Sequence, residues 1–248
     1  MIVFVTGVTS GFGAAITRRF IAAGAKVVGS GRRADRLQAL HAELGGNLLP
    51  LPLDVRDRAA VEASIAGLPP EFAEVDVLVN NAGLARGLEL APKADLDDWD
   101  VMVDTNIKGL LYCTRALLPG MVARDRGHIV NLGSTAGEFP YPGGNAYGAT
   151  KAFVHQFSLN LRADLLGSKV RVTSIEPGLA ETEFSVVRFG GDASRASSIY
   201  AGTEPLSADD IAETVEWVVR RPAHVNINTI SMMPVCQAFS PLAIKRQS

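Results

Sequence analysis

The amino-acid sequence predicts an α/β fold in which one doubly wound parallel sheet of about seven strands carries helices on both faces. Short apolar runs alternate with longer amphipathic runs along the chain, an order typical of repeated βαβ units. The short runs are rich in Val, Ile and Leu and lack strict polar alternation, as expected for strands covered on both faces. The 248 residues show no internal repeat and no linker, so we expect a single domain over 1–248.

The order of strands and helices can be read along the chain. Strands are predicted at 2–5, 26–30, 48–53, 75–80, 128–132 and 170–175, with a weaker one at 229–233. Helices are predicted at 12–23, 34–44, 59–66, 97–104, 107–124, 147–166 and 208–221. Gly24 is a typical helix-ending residue, and Ser207 followed by two acidic residues is typical of a helix start.

The third strand is predicted to lie at an edge of the sheet. It contains Pro50 and Pro52, whose missing N–H groups would both point to the same side. One hydrogen-bonded ladder can form and the other cannot, which agrees with the strand order 3-2-1-4-5-6. The alternative is that this segment is an irregular loop.

Composition excludes several classes of protein. Hydrophobic residues make up 47% and charged residues 20%, which is ordinary for a globular protein and wrong for a disordered one. The formal net charge of −2 argues against a nucleic-acid partner, and no apolar run reaches the ~18 residues of a membrane span. Two cysteines without close partners and no signal-like start favour the cytoplasm. No metal is expected, because the four histidines show no ligand spacing.

A glycine-rich turn follows the first strand. Gly7 allows the tight turn, Gly11 allows a pyrophosphate to approach the backbone, and Gly13 allows close packing of helix on strand. Thr9, Ser10 and Phe12 stand between these glycines, at the start of a helix whose free N–H groups can bind an anion. The segment predicts a Rossmann-type dinucleotide site, although ordinary turns also contain glycines.

The end of the second strand indicates which dinucleotide is bound. Arg32 and Arg33 stand there, and no carboxylate comes before Asp35. A guanidinium can hold the 2′-phosphate of NADP, whereas an acid at this place would bind the free ribose of NAD. We therefore predict NADP(H); the alternative is that both arginines are only solvated at a helix start. Asp54 and Val55, which end the third strand, are predicted to cover the adenine.

Tyr147 and Lys151 lie four residues apart and so share one face of a helix. A cation about 4 Å from the phenol at an effective dielectric near 20 would favour the phenolate by roughly 4 kcal/mol. The spacing therefore predicts that Lys151 lowers the pKa of Tyr147 toward neutrality, where acid–base catalysis is most effective. Such pairs also occur on many solvated helices.

Further polar residues follow other predicted strands at their carboxyl ends, where open α/β sheets bind ligands. Ser134 follows the fifth strand and could polarise a carbonyl, or simply form a turn. The segment 80–83 follows the fourth strand and includes Asn81, Ala82 and Gly83, and a simple turn would also explain it. Asn106 is read as the start of the helix 107–124, where capping alone would account for it.

Taken together, 6–13, 80–83, Asn106, Ser134, Tyr147, Lys151 and 177–178 resemble the short-chain dehydrogenase/reductase family, in the family's order and spacing. The similarity runs from residue 1 to about residue 234. It implies that 1–134 mainly bind the cofactor, while 134–234 carry catalysis and substrate binding.

The resemblance also implies individual roles. Tyr147 would be the general acid/base, Lys151 would lower its pKa and bind the nicotinamide ribose, and Ser134 would orient the substrate. Asn106 would hold a water that connects Lys151 to solvent. Further cofactor contacts are implied for Asn81, Ala82, Gly83, Pro177, Gly178 and Thr182.

A finer resemblance concerns the substrate. The segments 133–137, 141–144, 175–178, 187–189, 222–228 and 232–235 are similar to bacterial NADP-dependent 3-hydroxy acid dehydrogenases. Sulfoacetaldehyde reductases are close to that group, so the resemblance leaves a carboxylate or a sulfonate substrate open. A non-catalytic NADP-sensing protein is the third interpretation.

The segment 181–204 has no clean periodicity and is predicted to be a mobile cover over the site. It supplies Arg188 and Arg195 as candidate holders of the substrate's anionic group, although both could be solvated charges. Family members are commonly homodimers or homotetramers built on the two long helices, and the same is expected here.

Overall fold

A computed structural model describes residues 1–239 of the chain. Its seven strands form one parallel sheet in the order β3-β2-β1-β4-β5-β6-β7. The strands are β1 (Ile2–Thr6), β2 (Lys26–Gly31), β3 (Leu48–Pro52), β4 (Val77–Asn80), β5 (Gly127–Leu132), β6 (Val170–Pro177) and β7 (Thr229–Met232). The predicted doubly wound sheet of about seven strands is confirmed.

Helices cover both faces of this sheet. They are α1 (Gly11–Ala22), α2 (Ala34–Leu44), α3 (Arg58–Ala66), α4 (Pro70–Ala73), α5 (Leu96–Val103), α6 (Leu110–Ala123), α7 (Asn145–Asp164), α8 (Glu183–Arg188), α9 (Ala193–Ser198) and α10 (Ala208–Val219). No helix within residues 1–239 combines the length and the apolar character that a membrane crossing requires.

Two apolar layers hold the helices to the sheet. On one face, Val5 and Val27 of the sheet pack with Phe20 of α1 and Val215 of α10. On the other face, a second cluster joins the sheet to α3, α6 and α7, and it includes the fully buried Phe4. The sheet therefore has no solvent-facing side, which is why its strands lack polar alternation.

The proline-containing strand lies at the sheet edge, as predicted. β3 pairs only with β2 among the described strands, and its Pro50 and Pro52 stand opposite Gly29 and Gly31. The missing N–H groups thus weaken no second ladder.

Two features of the structure differ from the sequence-based predictions. The helices predicted at 97–104 and 107–124 are joined by a π-helical turn, Asp104–Gly109, so Asn106 lies inside a continuous helical run and does not start one. The segment 181–204, predicted as a mobile cover and assigned no helix, contains α8 and α9. The side chains of Thr182 and Asp192 cap their first turns. Each helix has only six residues, which is too short for a helical period of apolar residues to be recognised in the sequence.

Candidate active site

The glycine-rich turn connects β1 to α1 and has little room for a side chain at its three glycines. Gly7 and Gly11 have φ values of +75° and +51°, which L-residues rarely adopt. A Cβ on Gly13 would lie 2.3 Å from the carbonyl oxygen of Gly7, so Gly13 lets α1 pack against the turn. The Asn81 amide donates to the carbonyl oxygens of Thr6 (2.7 Å) and Gly7 (3.1 Å) and so holds the turn to the end of β4.

The first turn of α1 is available to an anion. Ser10 occupies the N-cap position without a side-chain capping bond, because its hydroxyl accepts from Arg33 Nη2 at 2.8 Å. The side chain of Ser10 therefore accepts no hydrogen bond from the N–H groups in the first turn of this twelve-residue helix. This arrangement fits the pyrophosphate of a dinucleotide.

Basic residues lie beside this turn, at the end of β2. Arg33 donates through Nε and Nη2 to Thr9 Oγ1, at 3.0 and 2.8 Å, while Arg32 forms no ion pair within residues 1–239. Asp54 follows β3 at the same end of the cleft, and Arg56 binds its carboxylate at 2.6 Å and holds its pKa below the usual range. Arg32 thus offers an uncommitted positive charge to a 2′-phosphate.

Most of the residues predicted to bind cofactor line one cleft. They are Gly7, Thr9, Ser10, Gly11, Phe12, Arg32, Arg33, Asp54, Val55, Asn81, Ala82, Gly83, Pro177, Gly178 and Thr182. Ser134, Tyr147 and Lys151 line the other end of the same cleft. The parallel sheet brings these residues together, because the carboxyl ends of β1, β2, β4, β5 and β6 all lie at the same edge of the sheet.

Ser134 and Tyr147 meet through a short turn between β5 and α7. Ser134 precedes a 3₁₀ turn, Thr135–Gly137, and its hydroxyl accepts from the N–H of Ala136 at 3.1 Å. A Cβ on Gly137 would lie 2.7 Å from the backbone of Lys151, so only glycine lets this turn pack on α7. The Ser134 hydroxyl is thereby brought within hydrogen-bond reach of the phenol of Tyr147.

The structure corrects the predicted electrostatics of the Tyr147–Lys151 pair. Burial raises the pKa of Tyr147 to about 12, and the hydrogen bond of Ser134 and the charge of Arg188 oppose that rise only in part. Burial also lowers the pKa of Lys151 to about 8. Lys151 therefore loses its proton before the phenol ionises, and the pKa of Tyr147 is not lowered as the spacing predicted. The sequence gives the proximity of the two groups but not their common desolvation.

Lys151 is directed toward the sheet. Its Nζ donates to the carbonyl oxygen of Leu132 at 2.7 Å and lies 5.8 Å from the centroid of the Tyr147 ring. The strand end thus fixes the amine between the phenol and the backbone.

Asn106 is fully engaged with the backbone and with α7. Its Oδ1 accepts from the N–H of Leu84 and its Nδ2 donates to the carbonyl oxygen of Leu84, both at 2.9 Å. The same Nδ2 lies 3.0 Å from Thr150 Oγ1. The side chain is buried and joins the loop after β4 to the helix that carries Tyr147.

The two arginines predicted to hold the substrate lie in different places. The Arg188 guanidinium is 5.1 Å from the centroid of the Tyr147 ring and donates to the hydroxyl of Tyr141. Arg195 lies at an exposed position of α9, 4.4 Å from the ring of Phe189. Neither arginine is among the residues that line the cleft, so Arg188 is connected to the site through its contact with Tyr147. The structure therefore brings Arg188 to the site and leaves Arg195 outside it.

Sequence reasoning assigned no role to three residues of this region. Tyr141 touches Arg188, and Phe184 lies 5.5 Å from Tyr147 between ring centroids. Glu183 forms ion pairs with Arg33 and Arg36. These contacts join residues that are far apart in the chain, so no local sequence pattern predicts them. Within residues 1–239, no cluster of three or more His, Cys, Asp or Glu is arranged to hold a metal.

The sheet order and the glycine turn that leads into α1 define a Rossmann-type nucleotide-binding protein, with a buried tyrosine and lysine at the opposite end of the cleft. Comparison with known proteins identifies its family. The family model described as short chain dehydrogenase matches residues 1–189, and the chain belongs to this family.

Relatives are similar over the whole chain. An NADP-dependent 3-hydroxy acid dehydrogenase of Salmonella typhi is 62% identical over 247 residues, which cover 99% of this chain and 100% of the relative. A serine 3-dehydrogenase of Rhizobium radiobacter is 52% identical, over 99% of this chain and 98% of the relative. The solved closed form of serine dehydrogenase complexed with NADP+ superposes with a TM-score of 0.99 at 61% identity and covers both chains completely.

Proposed function

We propose that this protein is an NADP-dependent oxidoreductase that interconverts a small 3-hydroxy acid, or a β-hydroxy amino acid, with its carbonyl form. One observation carries the proposal: a guanidinium, that of Arg188, lies against the ring of the buried phenol of Tyr147. Arg188 Nε is buried without a hydrogen-bond partner among the described residues, so this N–H is a donor that a bound substrate oxygen would satisfy. An anion-binding group beside a proton donor suits a small carbonyl compound with an acid group. The names of the similar proteins support the same substrate class.

The proposed chemistry divides between the cofactor and the side chains. NADPH supplies hydride to the carbonyl carbon when it is bound. Tyr147 is protonated at neutral pH because burial raises its pKa to about 12, so its hydroxyl can donate the proton that the carbonyl oxygen needs. Ser134 holds that oxygen beside the phenol, and Arg188 binds the carboxylate at the other end of the substrate. Lys151 would hold the nicotinamide ribose. A water between Lys151 and solvent would bind the backbone carbonyl of Asn106 or the second lone pair of its Oδ1, because its Nδ2 already donates to Leu84 and Thr150.

At the other end of the cleft, Arg32 and Arg33 would bind the 2′-phosphate of NADP(H). Gly7, Thr9, Ser10, Gly11, Phe12 and Gly13 would form the pyrophosphate site. Asp54 and Val55 would cover the adenine, and Asn81, Ala82, Gly83, Pro177, Gly178 and Thr182 would line the rest. The exposed position of Arg195 supports a role at the rim of the segment 181–204 more than a substrate contact.

A sulfonate in place of the carboxylate is the second candidate, since Arg188 can bind either anion. Reduction of sulfoacetaldehyde to isethionate would use the same residues. The names of the similar proteins favour the carboxylate.

The test is a panel of NADPH-oxidation rates with malonic semialdehyde, sulfoacetaldehyde and an uncharged aldehyde of equal size. We expect the highest kcat/KM with malonic semialdehyde, and oxidation of serine or a 3-hydroxy acid in the reverse direction. A preference for sulfoacetaldehyde would support the second candidate. Absence of turnover with all three, despite NADPH binding, would instead support a cofactor-sensing protein.

We also propose that the protein is a homodimer or homotetramer in the cytoplasm. The outer surface of α6 and α7 carries partly exposed apolar residues, namely Leu111, Tyr112, Ala116, Leu118 and Phe157, around one shallow pocket. Such a face supports self-association. Size-exclusion chromatography with light scattering measures the mass of the protein in solution. A monomer at micromolar concentration would contradict this part of the proposal.

A further inference from the structure

Glu183, the first residue of α8, reaches across the cofactor cleft to the start of α2. Its carboxylate accepts from Arg36 Nη1 at 2.7 and 2.8 Å and from Arg33 Nη1 at 3.1 Å. The opposite edge of the Arg33 guanidinium, Nε and Nη2, binds Thr9 and Ser10 in the glycine-rich turn. One guanidinium therefore touches α8 and the predicted phosphate site at the same time.

The other end of α8 reaches the proton-donor site. Arg188 is its last residue and lies 5.1 Å from the Tyr147 ring centroid. The backbone carbonyl of Arg188 also accepts from the N–H of Gly87 at 3.1 Å. Six helical residues thus connect the predicted 2′-phosphate end of the cleft to the predicted substrate end.

The residue before α8 packs on the glycine turn. A Cβ on Gly11 would lie 3.3 Å from Thr182 Cβ, so the segment leaves little space above this glycine. A dinucleotide that passes between the turn and α8 must enter or leave while this contact and the Glu183 ion pairs are open.

We propose that Glu183 is a positioning residue: its ion pairs with Arg33 and Arg36 seat α8 over the bound cofactor, and this placement sets Arg188 beside Tyr147. The inference rests on the proposed function and adds to it a link between cofactor and substrate binding. The three side chains are each 40–44% exposed, so the ion pairs are weak enough to open for cofactor exchange. Closure would therefore be reversible and sensitive to salt.

The test compares Glu183→Gln with Glu181→Gln, a matched change two residues earlier on the same segment, where the side chain is exposed and forms no ion pair within residues 1–239. The NADPH Kd is measured by fluorescence titration without substrate, and KM and kcat are measured with the anionic and the uncharged aldehyde. For Glu183→Gln we expect a rise of roughly three- to tenfold in the NADPH Kd and in the KM of the anionic aldehyde, with kcat within about twofold. The KM of the uncharged aldehyde and all values for Glu181→Gln should stay unchanged.

Arg36→Gln is a second variant that breaks the contact from the other side and keeps the test valid if Glu183→Gln folds poorly. The effects of the two substitutions on the NADPH Kd should be less than additive, because both remove the Glu183–Arg36 ion pair. About 0.5 M NaCl should reduce the difference between the parent protein and Glu183→Gln.

Other outcomes overturn the inference. An unchanged or lower NADPH Kd would show that Glu183 does not seat α8 or that it competes with the phosphate. A raised Kd with an unchanged KM for the anionic aldehyde would show a local contact without a link to Arg188. If the parent protein binds NADPH but reduces no aldehyde, the proposed function fails, and the Kd comparison still tests the closure.

Discussion

The protonation states of Tyr147 and Lys151 at neutral pH suit reduction better than oxidation. Burial raises the pKa of the phenol to about 12 and lowers that of the amine to about 8, so both groups carry their protons at pH 7. A neutral phenol can give a proton to a carbonyl oxygen at once, whereas it must first lose its proton to act as a base.

The first prediction concerns the pH dependence of carbonyl reduction. Because burial lowers the pKa of Lys151 to about 8, the amine is charged below that pH and neutral above it. Loss of the charge removes a group that stabilises the Tyr147 oxygen as its proton leaves, so kcat for reduction should fall above about pH 8. Initial rates at saturating NADPH from pH 6 to 10 measure this. Lys151→Arg should move the fall to higher pH because a guanidinium stays charged; a flat profile in the parent protein would contradict the assignment.

The second prediction concerns Tyr147, the proposed proton donor. Tyr147→Phe removes the hydroxyl and leaves the ring packed on Phe184, so NADPH binding should persist while kcat falls by about 10²- to 10⁴-fold. Single-turnover rates and a fluorescence titration separate these two effects. Tyr112→Phe is the control, since Tyr112 lies on α6 away from the cleft. Retention of most of the activity by Tyr147→Phe would rule out the proposed role.

The third prediction concerns cofactor choice. Arg32 lines the cleft and has no ion pair within residues 1–239, so Arg32→Ala should weaken NADPH binding by roughly ten- to a hundredfold. NADH binding should be nearly unchanged, because NADH has no 2′-phosphate. Arg18→Ala is the control, since Arg18 pairs with Glu43 on α1 and α2. Equal losses for both cofactors would mean that Arg32 acts on the fold.

At the level of elements, α10 depends on a capping arrangement that the sequence predicted correctly. The Ser207 hydroxyl accepts from the N–H of Asp210 at 3.2 Å, and the N–H of Ser207 donates back to the Asp210 carboxylate at 2.8 Å. Ile211 and Val215 follow and are completely buried against α1 and the sheet. The cap therefore fixes where this apolar face begins.

The fourth prediction follows from this cap. Ser207→Ala leaves one N–H group of the first turn without its acceptor, so the free energy of unfolding should fall by about 1 kcal/mol. Denaturation in urea measures the change. Ser194→Ala, at an exposed position of α9, should cost much less. A loss as large in the control would show that the capping bond is not the cause.

The elements also show where sequence-based prediction succeeds and where it fails. The prolines of β3 placed that strand at the edge because a missing N–H group has a local and unavoidable consequence. The π turn at Asp104–Gly109 was predicted as a break between two helices, because an extra residue shifts the apolar phase by roughly 100° and interrupts the period much as a helix end does. Similarly, the motifs located Ser134, Tyr147 and Lys151, but the desolvation that sets their pKa values depends on the whole packed layer around them.

For the whole molecule, we expect a buried histidine of the sheet to limit stability in acid. His128 of β5 is 2% exposed, and its Nε2 lies 2.8 Å from Thr173 Oγ1 on β6. The Thr173 hydroxyl donates to the carbonyl oxygen of Ile227, so it accepts from His128, and the ring is neutral with its proton on Nε2. Burial lowers the pKa of this ring to about 3, and the charge of Arg171 adds to the effect.

The fifth prediction is that this ring makes the folded state less stable as the pH falls below about 6.5, the pKa expected for histidine in the unfolded chain. Below that pH, His128 binds a proton in the unfolded chain, whereas in the folded chain it stays neutral down to about pH 3. Between pH 6.5 and 5, where most carboxylates stay ionised, the free energy of unfolding should fall by about 2 kcal/mol. Urea denaturation at several pH values measures the slope. His128→Gln should lower stability at pH 7 yet flatten this slope, whereas His224→Gln, at an exposed position, should leave it unchanged. A slope that survives in His128→Gln would assign the acid sensitivity to other groups, because glutamine has no proton to gain in this range.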